Sequence, residues 1–97
     1  MAVMQVLIIG SGGREHALAI ALSKSPSVGS IHAAPGNAGT AMLGTNHQVD
    51  VSDIDGLVSL AQDIHAELVI VGPEGPLVAG ISDRLREIGI PSFGPGS

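Results

Sequence analysis

The chain has 97 residues, of which 44% are hydrophobic, and carries a formal net charge of −5 with only four Lys or Arg. That is enough apolar side chain for one small core and too little positive charge for a surface that tracks nucleic acid. Cysteine is absent, which excludes disulfides and thiol chemistry, and no apolar run approaches the length of a membrane span.

Gln5 to Ile9 is predicted as the first strand. Its apolar residues run without alternation, which indicates burial on both faces, as in a parallel sheet. No cationic flank precedes it, so no signal peptide is read, and a soluble, cytoplasmic protein is expected. Gly10-Ser11-Gly12-Gly13 then forms a tight turn into a helix from about Arg14 to Ser25, ended by Pro26. Ala17, Leu18, Ala21 and Leu22 are expected on its inner face. Ser30 to Ala34 reads as a short second strand, and Pro35 to Thr40 as a loop with two glycines and Asn37 suited to unusual backbone angles. Met42 to Asp50 has little pattern, with His47 to Val51 expected as a short strand near an edge.

Ser52, followed three residues later by Asp55, resembles a capping box at the start of the next helix. Ile54, Leu57, Val58, Ala61 and Ile64 supply that helix with an apolar face. Leu68 to Val71 is a second buried strand and runs straight into Gly72-Pro73-Glu74-Gly75-Pro76. A further helix is predicted from near Pro76, with Leu77, Ile81, Leu85 and Ile88 inward and Gly89 as its cap. Ile90 to Phe93 is the last strand, and Phe93 is the only aromatic residue, so the core is expected to be Val, Ile, Leu and Ala. Regular alternation of strand and helix predicts an α/β fold, a small three-layer open parallel sheet of Rossmann-like type, in a single domain over residues 1–97. In such a sheet the Gly10 turn, the Pro35 to Thr40 loop and the Gly72 to Pro76 loop share one edge, where ligands of open α/β sheets bind.

The chemistry is expected at the Gly10 turn. Amides at the start of a helix point outward without partners, beside the positive end of the helix dipole, and suit a phosphate. Gly10-Ser11-Gly12 matches half of the dinucleotide fingerprint GxGxxG, but Glu15 stands where the third glycine belongs. The acid that should hold a ribose hydroxyl about 20 residues on is also missing, since the sequence there is His32-Ala33-Ala34-Pro35. No Gly-Lys-Ser/Thr follows, so the turn is not a P-loop either. Arg14 puts a cation in the first helical turn, against the dipole; an anionic ligand held by Arg14 with Gly12 and Gly13 reverses that sign. The alternative is an Arg14 neutralised by a carboxylate on a solvated surface. Glu74 reads equally as an acceptor for ligand hydroxyls or an amine and as a helix-start acid favoured by the dipole. Asn37 reads as a turn residue, or as an amide that reaches the ligand. His16 is expected to be partly buried against a neighbouring loop, and His32, His47 and His65 lack metal-site spacing, so no metal is assigned.

The motifs Val6-Leu7-Ile8-Ile9-Gly10-Ser11-Gly12-Gly13-Arg14-Glu15-His16-Ala17, Ala34-Pro35-Gly36-Asn37-Ala38-Gly39-Thr40, Val71-Gly72-Pro73-Glu74-Gly75-Pro76-Leu77-Val78-Ala79-Gly80-Ile81 and Phe93-Gly94-Pro95 occur in that order. Together they resemble the phosphoribosylamine–glycine ligase family, also called glycinamide ribonucleotide synthetases. Gly75 is a mild departure, since that position is usually alanine or aspartate in the family. The resemblance implies the N-terminal, pre-ATP-grasp domain of a longer ATP-grasp enzyme of de novo purine synthesis. Such an enzyme joins glycine to 5-phosphoribosylamine through glycyl phosphate, giving glycinamide ribonucleotide, ADP and phosphate. ATP and magnesium are then held by later domains of the same polypeptide, while this segment helps bind the phosphoribosyl substrate. Gly12, Gly13 and Arg14 are expected to receive the substrate phosphate at the turn that Gly10 begins, itself counted with the substrate-binding residues, and Glu15, Asn37 and Glu74 to line the ribose and amine end. Two other readings stay open: an NAD-linked oxidoreductase domain, and a stand-alone, non-catalytic sugar-phosphate-binding module.

Overall fold

The computed structural model describes residues 4–72 and 76–94, with the backbone alone for 76–79. The strands are β1 (Met4–Gly10), β2 (Val28–Pro35), β3 (Thr45–Asn46), β4 (Leu68–Val71) and β5 (Ser92–Phe93), and the helices are α1 (Gly13–Ser23), α2 (Ala38–Leu43), α3 (Ile54–Asp63) and α4 (Pro76–Glu87). The strands form one sheet in the order β3-β2-β1-β4-β5, and every pairing in it is parallel. Chain order reverses beside β1: the chain moves outward through β2 and β3, then returns to β4 and β5 on the other flank. A crevice therefore opens between the carboxyl ends of β1 and β4, at Gly10 and Gly72.

The pleat of β1 explains the three layers. Leu7 and Ile9 face one side with Ala34, Val69 and Val71, under Leu57, Val58, Leu60 and Ala61 of α3 and Ile81 and Leu85 of α4. Val6 and Ile8 face the other side, with Ala19 of α1 and Ile31, flanked by Leu18, Leu22 and Leu43. A strand sandwiched in this way has no polar face, which is why β1 reads as an unbroken apolar run.

Several local expectations are corrected. The inner stripe of α1 is Glu15, Leu18, Ala19 and Leu22, while Ala17 and Ala21 face water. An alanine-rich helix has little contrast between its faces, and the buried carboxylate at the head of the stripe disguises it. The Pro35 to Thr40 segment is not all loop: Asn37 caps α2, its Oδ1 accepting from the Thr40 amide at 2.9 Å. The edge strand is Thr45–Asn46 rather than His47 to Val51, because Asp50 turns the chain by accepting from both the amide (2.8 Å) and the hydroxyl (2.6 Å) of Ser52. That bond holds the Asp50 carboxyl below the ordinary carboxylate range. With Ser52 engaged there, Asp53 is the cap of α3, accepting from the Gly56 amide at 3.0 Å. Ile88 lies past the end of α4 and is exposed, and the side chain of Leu77 is outside the described residues. Gly89 does close that helix, at φ +81°, while the Ile90 amide donates to the Leu85 carbonyl at 2.9 Å.

Candidate functional site

The site grows out of the β1–α1 turn. Gly10 leaves the strand at φ +137°, a conformation that strains any residue with a Cβ. Gly12 is the extended N-cap of α1, and the first helical bond runs from the His16 amide to the Gly12 carbonyl at 3.2 Å. The amides of Gly13, Arg14 and Glu15 therefore precede the hydrogen-bonded ladder, as in any helix start, and Gly13 and Arg14 are exposed.

The amide of Gly12 is committed. It donates to Oε2 of Glu15 at 3.0 Å, the reach-back half of a capping box. Glu15 itself is only 6% exposed. Its carboxylate lies in a cradle of three glycines. A Cβ at Gly10 would fall 2.5 Å from Oε1, one at Gly12 would fall 2.9 Å from Oε2, and one at Gly72 would overlap Oε1. The glycines at the ends of β1 and β4 thus make room for an internal carboxylate in the crevice.

Arg14 turns toward the β4 side, where Nη2 donates to the Gly72 carbonyl. A small recess of about 180 Å³ lies there, lined by Arg14, Leu18, Ile70, Val71, Gly72, Phe93 and Gly94. On the β2 side, both Nδ2 hydrogens of Asn37 are engaged, by the carbonyls of Ser11 (2.9 Å) and Gly12 (3.0 Å). The Gly36 amide donates to the Gly10 carbonyl at 3.0 Å. Behind Asn37 stands a second tier. Thr40, fully buried, accepts from the Asn37 amide at 2.8 Å and donates to Oδ1 of Asn46 at 2.7 Å, and Asn46 Nδ2 donates to the Asn37 carbonyl at 2.8 Å. His16 is half-buried where α2 passes so closely that a Cβ at Gly39 would meet its ring at 2.5 Å.

Gly10, Gly12, Gly13, Arg14, Glu15 and Asn37 are therefore brought together at the carboxyl edge of the sheet, around the end of β4. Glu74 lies outside the described residues. Sequence reasoning missed Thr40 and Asn46, whose only signal was a pair of small polar residues around a helix too short to read. It also missed the contact between His32 and His47, whose rings stack with Nδ1 and Nε2 2.9 Å apart. Burial and the neighbouring His47 push the His32 pKa down from its ordinary value. Among the described residues no group of three His, Cys, Asp or Glu could hold a metal ion, and no helix is long and apolar enough to cross a membrane.

The family described as phosphoribosylglycinamide synthetase, N domain, matches residues 4–97. The phosphoribosylamine–glycine ligase of Streptomyces coelicolor is 56% identical over 92 residues, 95% of this chain and 22% of that protein. The Vibrio cholerae protein of the same name is 56% identical over 94 residues, 95% of this chain and 22% of that protein. The Mycobacterium tuberculosis one is 52% identical over 93 residues, 96% of this chain and 22% of its own length. The chain thus spans about a fifth of the length of these relatives, and it belongs to the phosphoribosylglycinamide synthetase N-domain family.

Proposed function

We propose that this chain is the N-terminal substrate-holding segment of a cytoplasmic phosphoribosylamine–glycine ligase of de novo purine synthesis. In that reaction glycine takes the terminal phosphoryl group of ATP as glycyl phosphate, releasing ADP. The amine of 5-phosphoribosylamine then attacks the glycyl carbonyl and expels phosphate, leaving glycinamide ribonucleotide. ATP and magnesium belong, on this reading, to the rest of the same polypeptide.

This segment's part is binding. The substrate's 5′-phosphate sits at the head of α1, taking the exposed amides of Gly13 and Arg14 and the Arg14 guanidinium, which exchanges the Gly72 carbonyl for the ligand. Gly10 and Gly12 shape the turn. Glu15, held inside the crevice, and Glu74 are assigned to the ribose and amine end. Both amide hydrogens of Asn37 are already spent on the turn, so it serves the site by pinning Ser11 and Gly12. The observation that carries this reading is the convergence of an exposed helix start, an arginine and a buried carboxylate on one crevice, in a chain of this family.

Titration of the isotopically labelled chain with ribose 5-phosphate tests it. The amide signals of Gly13 and Arg14 should move in a saturable way, and a turn whose signals stay fixed refutes the assignment. The purified segment should show no ATP-dependent ligation, and turnover by it would overturn the placement of the ATP chemistry elsewhere.

A further inference from the structure

We propose that Glu15 is a specificity residue that restricts the crevice to a single phosphate group, by occupying the space into which a dinucleotide-binding turn admits a pyrophosphate. The proposal rests on the reading that the head of α1 takes a phosphate ester. Its ground is the agreement between spacing and geometry. In the fingerprint GxGxxG, the second glycine lets the pyrophosphate approach the backbone and the third lets helix and strand pack closely. Here the first two positions are Gly10 and Gly12, and Glu15 fills the third.

The side chain of Glu15 is not turned out to water. It is 6% exposed, its Oε2 takes the Gly12 amide at 3.0 Å, and the carboxylate occupies the volume left by the missing Cβ atoms of Gly10, Gly12 and Gly72. The space beside Gly10, Gly12 and Gly72 that their missing Cβ atoms leave is thus already taken by a carboxylate that belongs to the chain. A second phosphate entering the crevice would meet that charge in a poorly hydrated place and would find the Gly12 amide taken. A single phosphate can still use the amides of Gly13 and Arg14, exposed residues at the outer lip that precede the helical ladder. The three glycines are accounted for by Glu15, so their presence does not argue for a dinucleotide.

The test compares ribose 5-phosphate with ADP-ribose, in which that phosphate is joined through a second phosphate to adenosine, on wild type, Glu15→Ala and Glu15→Gly, by amide-signal titration and calorimetry. Wild type should prefer ribose 5-phosphate at least about tenfold, and both variants should gain at least about tenfold for ADP-ribose. A folded variant with no such gain overturns the proposal, as does a wild type that binds both probes equally. A wild type that ignores both probes while Glu15→Ala gains ADP-ribose strikes the phosphoribosyl reading and supports the role given to Glu15. Should both variants fail to fold, the wild-type preference decides alone.

Discussion

The two flanks of the crevice are built from different chemistry. On the β2 side, neutral amides and a hydroxyl, from Asn37, Thr40 and Asn46, are bonded to one another and to the backbone of the turn. On the β4 side, two charged side chains, Arg14 and Glu15, close on Gly72. Neutral, mutually satisfied groups in a buried network hold one geometry. Charged groups resting on backbone atoms are held less firmly, because a ligand of the right sign can compete for them. One flank therefore holds the geometry of the turn, and the other carries its charge.

That contrast can be broken at its charged side first. Gly72→Ala should have the largest effect, about 3 kcal/mol of lost stability by chemical denaturation, since its Cβ would overlap Glu15 Oε1 and lie 2.9 Å from the rigid Ile9 carbonyl. Asn37→Ala should cost about 2 kcal/mol, combining a lost helix cap with the loss of two hydrogen bonds that pin the turn, of whose acceptors the Gly12 carbonyl keeps another donor, the His16 amide. Asn37→Asp should recover the cap and not the donors, which separates the two contributions. Arg14→Ala should change stability by less than about 1 kcal/mol, since Arg14 is exposed, yet weaken ribose 5-phosphate about tenfold in calorimetry. If Arg14→Ala destabilises as much as Asn37→Ala, the division between the flanks is wrong.

The smallest effect belongs to pH, at the outer end of the neutral flank. The His32 pKa is lowered from 6.5 by burial and by His47, so the native state binds the proton less readily than the unfolded chain. Stability is then complete above about pH 6.5 and falls as pH drops through that value toward the lower native pKa. Denaturation midpoints measured between about pH 7.5 and 5.5 should slope downward, and His32→Gln should flatten the slope.

Much of the fold was legible because its strands are sandwiched. Val6 to Ile9 and Leu68 to Val71 declare burial on both faces without any knowledge of their neighbours, and Gly89 marks a helix end by a backbone requirement. What was hidden depended on contacts between distant residues. Two-residue strands such as Thr45–Asn46 have no periodicity, and their existence rests on pairing with His32 and Ala33. At the site, the glycine turn leading from β1 into α1 was readable from Gly10, Gly12 and Gly13. The inward rotation of Glu15 was not, because an acid in a first helical turn ordinarily points to water. The third glycine of its cradle comes from a strand 57 residues later, and only folding brings Gly72 there.

The sole benzene ring of the chain, Phe93, stands 58% exposed on the outermost strand, and the sequence has neither indole nor phenol. The interior is therefore nearly silent in the near ultraviolet. Unfolding has to be followed by far-ultraviolet dichroism or magnetic resonance, whereas the adenine of a bound nucleotide would stand out against an almost empty optical background.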